Sequence, residues 1–120
     1  MLLIRIVSGS ITSSKSWGIT HRKPPLKRGY FYFMSNYERT TFYAGVTADL
    51  ARRVSEHRSG QGSAFVRKYN LRYLVYYEQH SSIYEAIRRE KQVKNWHREW
   101  KINLIKSVNP EMRDLTEELF

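Results

Sequence analysis

The sequence predicts a small α/β domain of the α+β kind, a three-stranded and mainly antiparallel sheet flanked by helices. Three stretches carry that expectation. Residues 29–34 (GYFYFM) and 41–46 (TFYAGV) are aromatic and β-branched runs joined by a polar turn at 35–40, which reads as an antiparallel hairpin. Residues 71–78 (LRYLVYYE) have the composition of a third strand that joins it. Ser82-Ile83-Tyr84-Glu85 has the form of a capping box, so a helix should open there and run to about Asn95.

Taken in order, residues 1–28 read as a flexible basic arm. The opening apolar stretch is short, is interrupted by Arg5 and has no basic segment ahead of it, so a signal peptide is not expected. Residues 8–28 show neither helical nor strand periodicity, carry one sign of charge and contain Pro24-Pro25. The domain proper is expected over 29–120. In the hairpin, side chains alternate faces, so Tyr30, Tyr32 and Met34 share one side of the first strand, and Thr41, Tyr43 and Gly45 share one side of the second.

Thr47 or Asp49 can then cap a helix near Leu50 that runs to His57. Leu50, Arg53, Val54 and His57 fall on one stripe of it. An inward guanidinium at Arg53 needs an anionic partner or a wet cleft. The same pattern also fits an arginine whose stem lies on the core while its head reaches water. His57 taken alone fits a structural histidine equally. After a glycine-marked loop, residues 64–69 form a short helix with Arg67 and Lys68 exposed near a candidate phosphate path.

In the helix opened by the capping box, Ile83, Ala86, Ile87, Glu90 and Lys94 share a stripe, with a carboxylate in its middle. A divalent cation in a polar cleft would compensate an inward Glu90, and so would an ion pair with Lys94 four residues on. Trp96, Trp100 and Leu104 then lie on one face of a helix starting near His97 and ending before Asn109-Pro110. There the tryptophans serve as core anchors. Asn103 lies beside that face, and Pro110 can open a last short helix.

Composition narrows the function classes. At 120 residues the chain supports one modest core. The absence of cysteine excludes disulfides, thiol nucleophiles and thiolate metal sites, and fits a cytoplasmic place. No apolar run has membrane-spanning length. The net charge of +10 points toward a polyanion, although 1–28 hold six basic and no acidic side chains, leaving 15 basic against 11 acidic for 29–120. There is no glycine-rich phosphate loop and no His-Glu-x-x-His zinc motif. A carboxylate, an arginine and several phenols remain, a set suited to phosphodiester hydrolysis.

Tyr30-Phe31-Tyr32 and Tyr43-Ala44-Gly45, followed by a helix with Arg53 and His57 and a later one with Glu90, resemble the GIY-YIG nuclease superfamily. The likeness is to its small single-domain bacterial members, which are similar to the incision domain of the excision-repair nuclease, and it runs from about Gly29 to the C-terminus. Tyr30-Phe31 stand where the family name has Gly-Ile, Ala44 occupies the centre of the second motif, and Val46 stands where the repair nucleases carry a lysine. The resemblance implies a metal-dependent endonuclease acting on DNA, including branched or damaged DNA, in repair or recombination. In it Glu90 would hold Mg²⁺ or Mn²⁺ and Arg53 would bind phosphate. Tyr43, ahead of Tyr32, would activate water, His57 would support the phenol, and Arg67, Lys68 and Lys94 would contact nucleic acid. A nucleic-acid-binding module that keeps the scaffold without cleaving is the alternative, and an interaction protein using Trp96 and Trp100 is a third.

Overall fold

The computed structural model describes residues 4–6, as backbone, and 28–119. The expected arm otherwise lies outside the described residues. The strands are β1 (Ile4–Ile6), β2 (Gly29–Ser35), β3 (Phe42–Thr47) and β4 (Tyr73–His80). The helices are α1 (Leu50–Arg58), α2 (Ala64–Tyr69), α3 (Ile83–Lys94) and α4 (Arg98–Val108), followed by a 3₁₀ turn at Thr116–Leu119.

The three strands expected from the sequence form the antiparallel body of the sheet, with β2 between β3 and β4. β1 adds a short fourth strand, parallel to β4 on the far side from β3. The outer edge of β3 is therefore unpaired within the sheet. The register sets Tyr32 opposite Gly45 and Met34 opposite Tyr43.

Alternation divides the core into two layers. Tyr32, Met34, Leu74 and Tyr77 pack with Leu50 and Val54 of α1 and Val66 of α2. Phe31, Phe33, Val75 and Tyr76 pack with Val93 of α3 and Ile105 of α4. A bulge in β4 lets this division hold, because Phe33 pairs with Tyr76 but Met34 with Leu74, leaving Val75 as the extra residue. The side-chain phase of β4 shifts at that point, and Val75 and Tyr76 both join the α4 layer.

The helix starts follow their caps. Asp49 accepts from the Arg52 amide, Ser63 from Val66 and Ser82 from Glu85, each satisfying an amide that the helix itself leaves free. Asn70 ends α2 in the left-handed region at φ 57°.

Two expectations at the C-terminal end change. Trp100 is 55 % exposed and is not a core anchor; Ile105 is the buried residue of α4, while Trp96 packs half-buried against its layer. The last helical turn begins at Thr116 rather than at Pro110. The intervening chain is drawn along β4 instead, with the Leu115 amide donating to Leu74 O at 2.7 Å and Asn109 Nδ2 to Val75 O at 2.9 Å.

Candidate active site

The site forms where the free edge of β3 meets α1, α2, α3 and α4. On the α1 side of the sheet, Tyr32 is buried and its hydroxyl shares a 2.9 Å hydrogen bond with His57 Nε2. Tyr43 completes this group, its ring 6.5 Å from that of Tyr32 and 5.7 Å from that of His57. Two glycines make room for it. A Cβ at Gly45 would overlap the Tyr32 hydroxyl, and one at Gly62 would overlap His57 Nδ1. Hairpin register and the loop after α1 thus converge on a single phenol–imidazole pair.

Arg53 stands one turn before His57 on α1. Its side chain is 39 % exposed, yet its Nε is buried without a hydrogen bond, the nearest carboxylate oxygen being Glu56 Oε1 at 3.4 Å. Both readings of the sequence pattern are therefore partly met: the stem is covered and part of the head is open. Its positive charge reaches the buried pair. Burial and the Tyr43 phenol push the Tyr32 phenol up, with Arg53 opposing, so Tyr32 stays protonated near neutrality. Burial and then Arg53 push the His57 imidazole down, with Glu56 opposing, so His57 is neutral.

A histidine of lowered pKa has a linkage consequence. Below pH 6.5 the unfolded chain binds a proton at His57 that the folded chain refuses, so stability should fall as pH drops from 6.5 toward the folded value. Urea unfolding between pH 5 and 8 should show this slope in the parent protein and a flatter one in His57→Gln.

A cleft of about 520 Å³ opens along β3 from Phe42 to Val46, closed on one side by Phe65 of α2 and on the other by Ile87, Glu90 and Lys94 of α3, with Lys101 of α4. Tyr43 and Glu90, remote in sequence, face the same space. The Glu90 side chain is 16 % exposed and pairs with Lys94 Nζ at 3.1 Å, so the cleft and the ion pair anticipated as alternatives occur together. The stripe of Ile87, Glu90 and Lys94 lies on the cleft rim; Ala86 and Val93 are the buried residues of α3.

The structure thus brings Tyr32, Tyr43 and His57 into contact, sets Arg53 beside them, and places Glu90 and Lys94 on the cleft that Tyr43 lines. Arg67 and Lys68 are exposed on α2, with the Lys68 ammonium 5.3 Å from the Tyr69 ring centroid. Asn103 is exposed. Val46 lines the cleft as an apolar wall.

Among the described residues no three His, Asp or Glu side chains cluster to hold a metal. The donors that are present fit a different mode. Mg²⁺ and Mn²⁺ prefer oxygen, and Mg²⁺ is commonly held by one or two carboxylates with water and substrate phosphate completing the shell. Glu90 offers one such carboxylate on an open cleft.

Sequence reasoning missed a second charged cluster, behind the site. Glu78 is fully buried, accepting from the Tyr76 hydroxyl, lying 3.0 Å from His80 Nε2 and receiving Arg89 Nε and Nη2 at 3.0–3.2 Å. Burial alone would raise the carboxyl; His80, Arg89 and Tyr76 together hold it below its usual range. The available signal was period two, since Tyr76, Glu78 and His80 share one strand face. Arg89 precedes Glu90 on α3, so this clamp fixes the helix that presents Glu90.

The GIY-YIG catalytic domain family matches residues 28–103. A UPF0213 protein from Pediococcus pentosaceus is 30 % identical over 82 residues, covering 68 % of this chain and 86 % of its own length. One from Staphylococcus aureus is 31 % identical over 77 residues, covering 64 % and 94 %. No solved structure matches significantly. The motif strands, the sheet that pairs them and the family match over most of the domain agree, and the chain belongs to the GIY-YIG catalytic domain family.

Proposed function

We propose that this chain is a metal-dependent endonuclease that hydrolyses DNA phosphodiester bonds, with branched or damaged DNA in repair or recombination as its setting. Membership of the family implies a nuclease-type function and a DNA substrate. The observation that carries the finer reading is the convergence on one cleft of Tyr43 from β3 and Glu90 from α3, next to the Arg53–His57–Tyr32 group.

Each residue has work suited to its surroundings. Arg53 offers a half-exposed guanidinium to phosphate oxygens, where charge accumulates during attack. Tyr43 lines the cleft and can hold or deprotonate the attacking water. Tyr32 is less suited to that step, because burial keeps its phenol protonated. It orients neutral His57 instead, and the pair forms the wall behind Tyr43. Glu90 would hold Mg²⁺ or Mn²⁺, which when bound supplies charge neutralisation at the phosphoryl and departing 3′ oxygens. Arg67, Lys68 and Lys94 extend the positive surface for the flanking backbone.

Purified protein with Mg²⁺ or Mn²⁺ should convert supercoiled plasmid to nicked circles, and chelation by EDTA should stop it. Arg53→Ala and Tyr43→Phe should each abolish nicking while circular dichroism remains that of the parent. Salt-dependent binding without cleavage of duplex, branched and single-stranded DNA would overturn the catalytic reading in favour of a binding module. No helix among the described residues is long and apolar enough to cross a membrane.

A further inference from the structure

The cleft holds two lysines and one glutamate, and they are not equivalent. Lys94 is committed to Glu90 at 3.1 Å, and its side chain is otherwise 67 % exposed. Lys101 is half-buried on the cleft wall, and its ammonium makes no ion pair or hydrogen bond among the described residues. With Glu90 neutralised by Lys94, Lys101 leaves the cleft lining, which includes the apolar Val46, with one net positive charge. A lysine whose stem is partly covered by the cleft wall and whose ammonium has no counter-charge is available to an anion that enters the cleft.

We propose that Lys101 is a further phosphate-binding residue of this cleft, and that its ligand is a non-bridging oxygen of the phosphodiester being cleaved. The inference rests on the nuclease reading above and names a residue on an element that the motif strands do not include. Its position is built in. α4 is anchored by buried Ile105 and by Asn109 Nδ2 on Val75 O at 2.9 Å. At its other end Arg98 Nη2 donates to Thr40 O at 2.5 Å, and the Arg98 guanidinium lies 5.4 Å from the Phe42 ring centroid. Lys101 is one turn on from Arg98, so these contacts hold its stem beside the Phe42 end of β3 before any substrate arrives. An ammonium carried on that stem adds a point charge to a phosphate seated in the cleft.

The test compares Lys101→Gln, Lys101→Arg and, as a control for charge alone, Lys106→Gln, which removes an exposed lysine of the same helix. Binding of a labelled DNA duplex in EDTA is followed by anisotropy across a salt series, and nicking is followed in Mg²⁺. For Lys101→Gln the slope of log affinity against log salt should shrink by about 0.9, one phosphate contact on duplex DNA. Affinity should drop about fivefold and kcat by about 10- to 100-fold, with Lys101→Arg recovering most of both. Lys106→Gln should leave kcat at the parent value. If Lys101→Gln matches Lys106→Gln in slope and kcat while Glu90→Ala is inactive, the Lys101 proposal fails and the nuclease reading stands. If Glu90→Ala nicks like the parent, the nuclease reading fails, and the salt slope alone decides whether Lys101 meets phosphate.

Discussion

Glu90→Ala is expected to reduce metal-dependent nicking by about 10³-fold or more, to the level of a protein-free control, without unfolding the domain. The size follows from what the carboxylate is asked to supply: positioned charge neutralisation of a cleaving phosphodiester is worth several kcal/mol, and about 4 kcal/mol is a thousandfold in rate. The small structural cost follows from its surroundings. Among the described residues Glu90 pairs with Lys94, whose side chain is 67 % exposed, so removing the carboxylate leaves no buried charge without a partner. Loss of the carboxylate also releases Lys94, so DNA affinity in EDTA should hold or rise. Nicking assays, thermal melts and metal-free anisotropy therefore separate the two roles anticipated for Glu90. A merely structural carboxylate would lower Tm and leave nicking intact. An unchanged rate would remove the catalytic role from the cleft altogether.

The parts of this site that were legible in advance were those written in local periodicity. Alternation put Tyr32 on one side of its strand and Tyr43 on one side of its own, and helical spacing put Arg53, Val54 and His57 on one stripe; the hairpin register brings the two tyrosines together, and the Tyr32–His57 bond closes them against the helix. Residues whose environment depends on a distant element were harder to read. Glu90 shares its sequence stripe with Ala86, but α3 is rotated so that Ala86 and Val93 meet the sheet and Glu90 meets the cleft. A hydrophobic wheel gives the apolar face of a helix without saying where the sheet beneath it ends. Trp100 departs from expectation in the same way: helical spacing sets it on a face with Trp96, and its ring does meet that of Trp96 at 6.2 Å, but it stays 55 % exposed because the core of α4 is taken by Ile105. The bulge at Val75 left no local mark, because Leu74-Val75-Tyr76-Tyr77 is apolar at every position and the register slip costs no exposed side chain. That slip nonetheless sets the face that Tyr76, Glu78 and His80 share.

Arg89→Ala, which touches no cleft atom, should be among the most destabilising substitutions in the domain. It removes the guanidinium that contacts both oxygens of a carboxylate with no solvent exposure. Breaking a buried pair from one side typically costs about 3–5 kcal/mol. Against a whole-domain stability of about 5–15 kcal/mol, that is a large share. The sign of the pH dependence identifies the cause. Glu78 is held below its ordinary pKa of 4.5, so its contribution is full above that value and is lost as pH falls through the folded pKa. Once protonated, Glu78 no longer needs Arg89, so the stability gap between parent and Arg89→Ala should be widest at neutral pH and should narrow on acidification. A second substitution, Glu78→Gln, made in the Arg89→Ala background, should recover part of the loss, because a neutral amide in that pocket leaves no orphaned charge. Urea unfolding of the four proteins of this cycle at pH 7 and pH 4 checks each step. Equal destabilisation at both pH values, or simple additivity of the two substitutions, would mean that Arg89 acts by packing on Trp96, whose ring centroid lies 5.3 Å from its guanidinium, and not through Glu78. The clamp also bears on the cleft, since Arg89 and Glu90 are consecutive on α3: loosening one frees the rotation that aims the other.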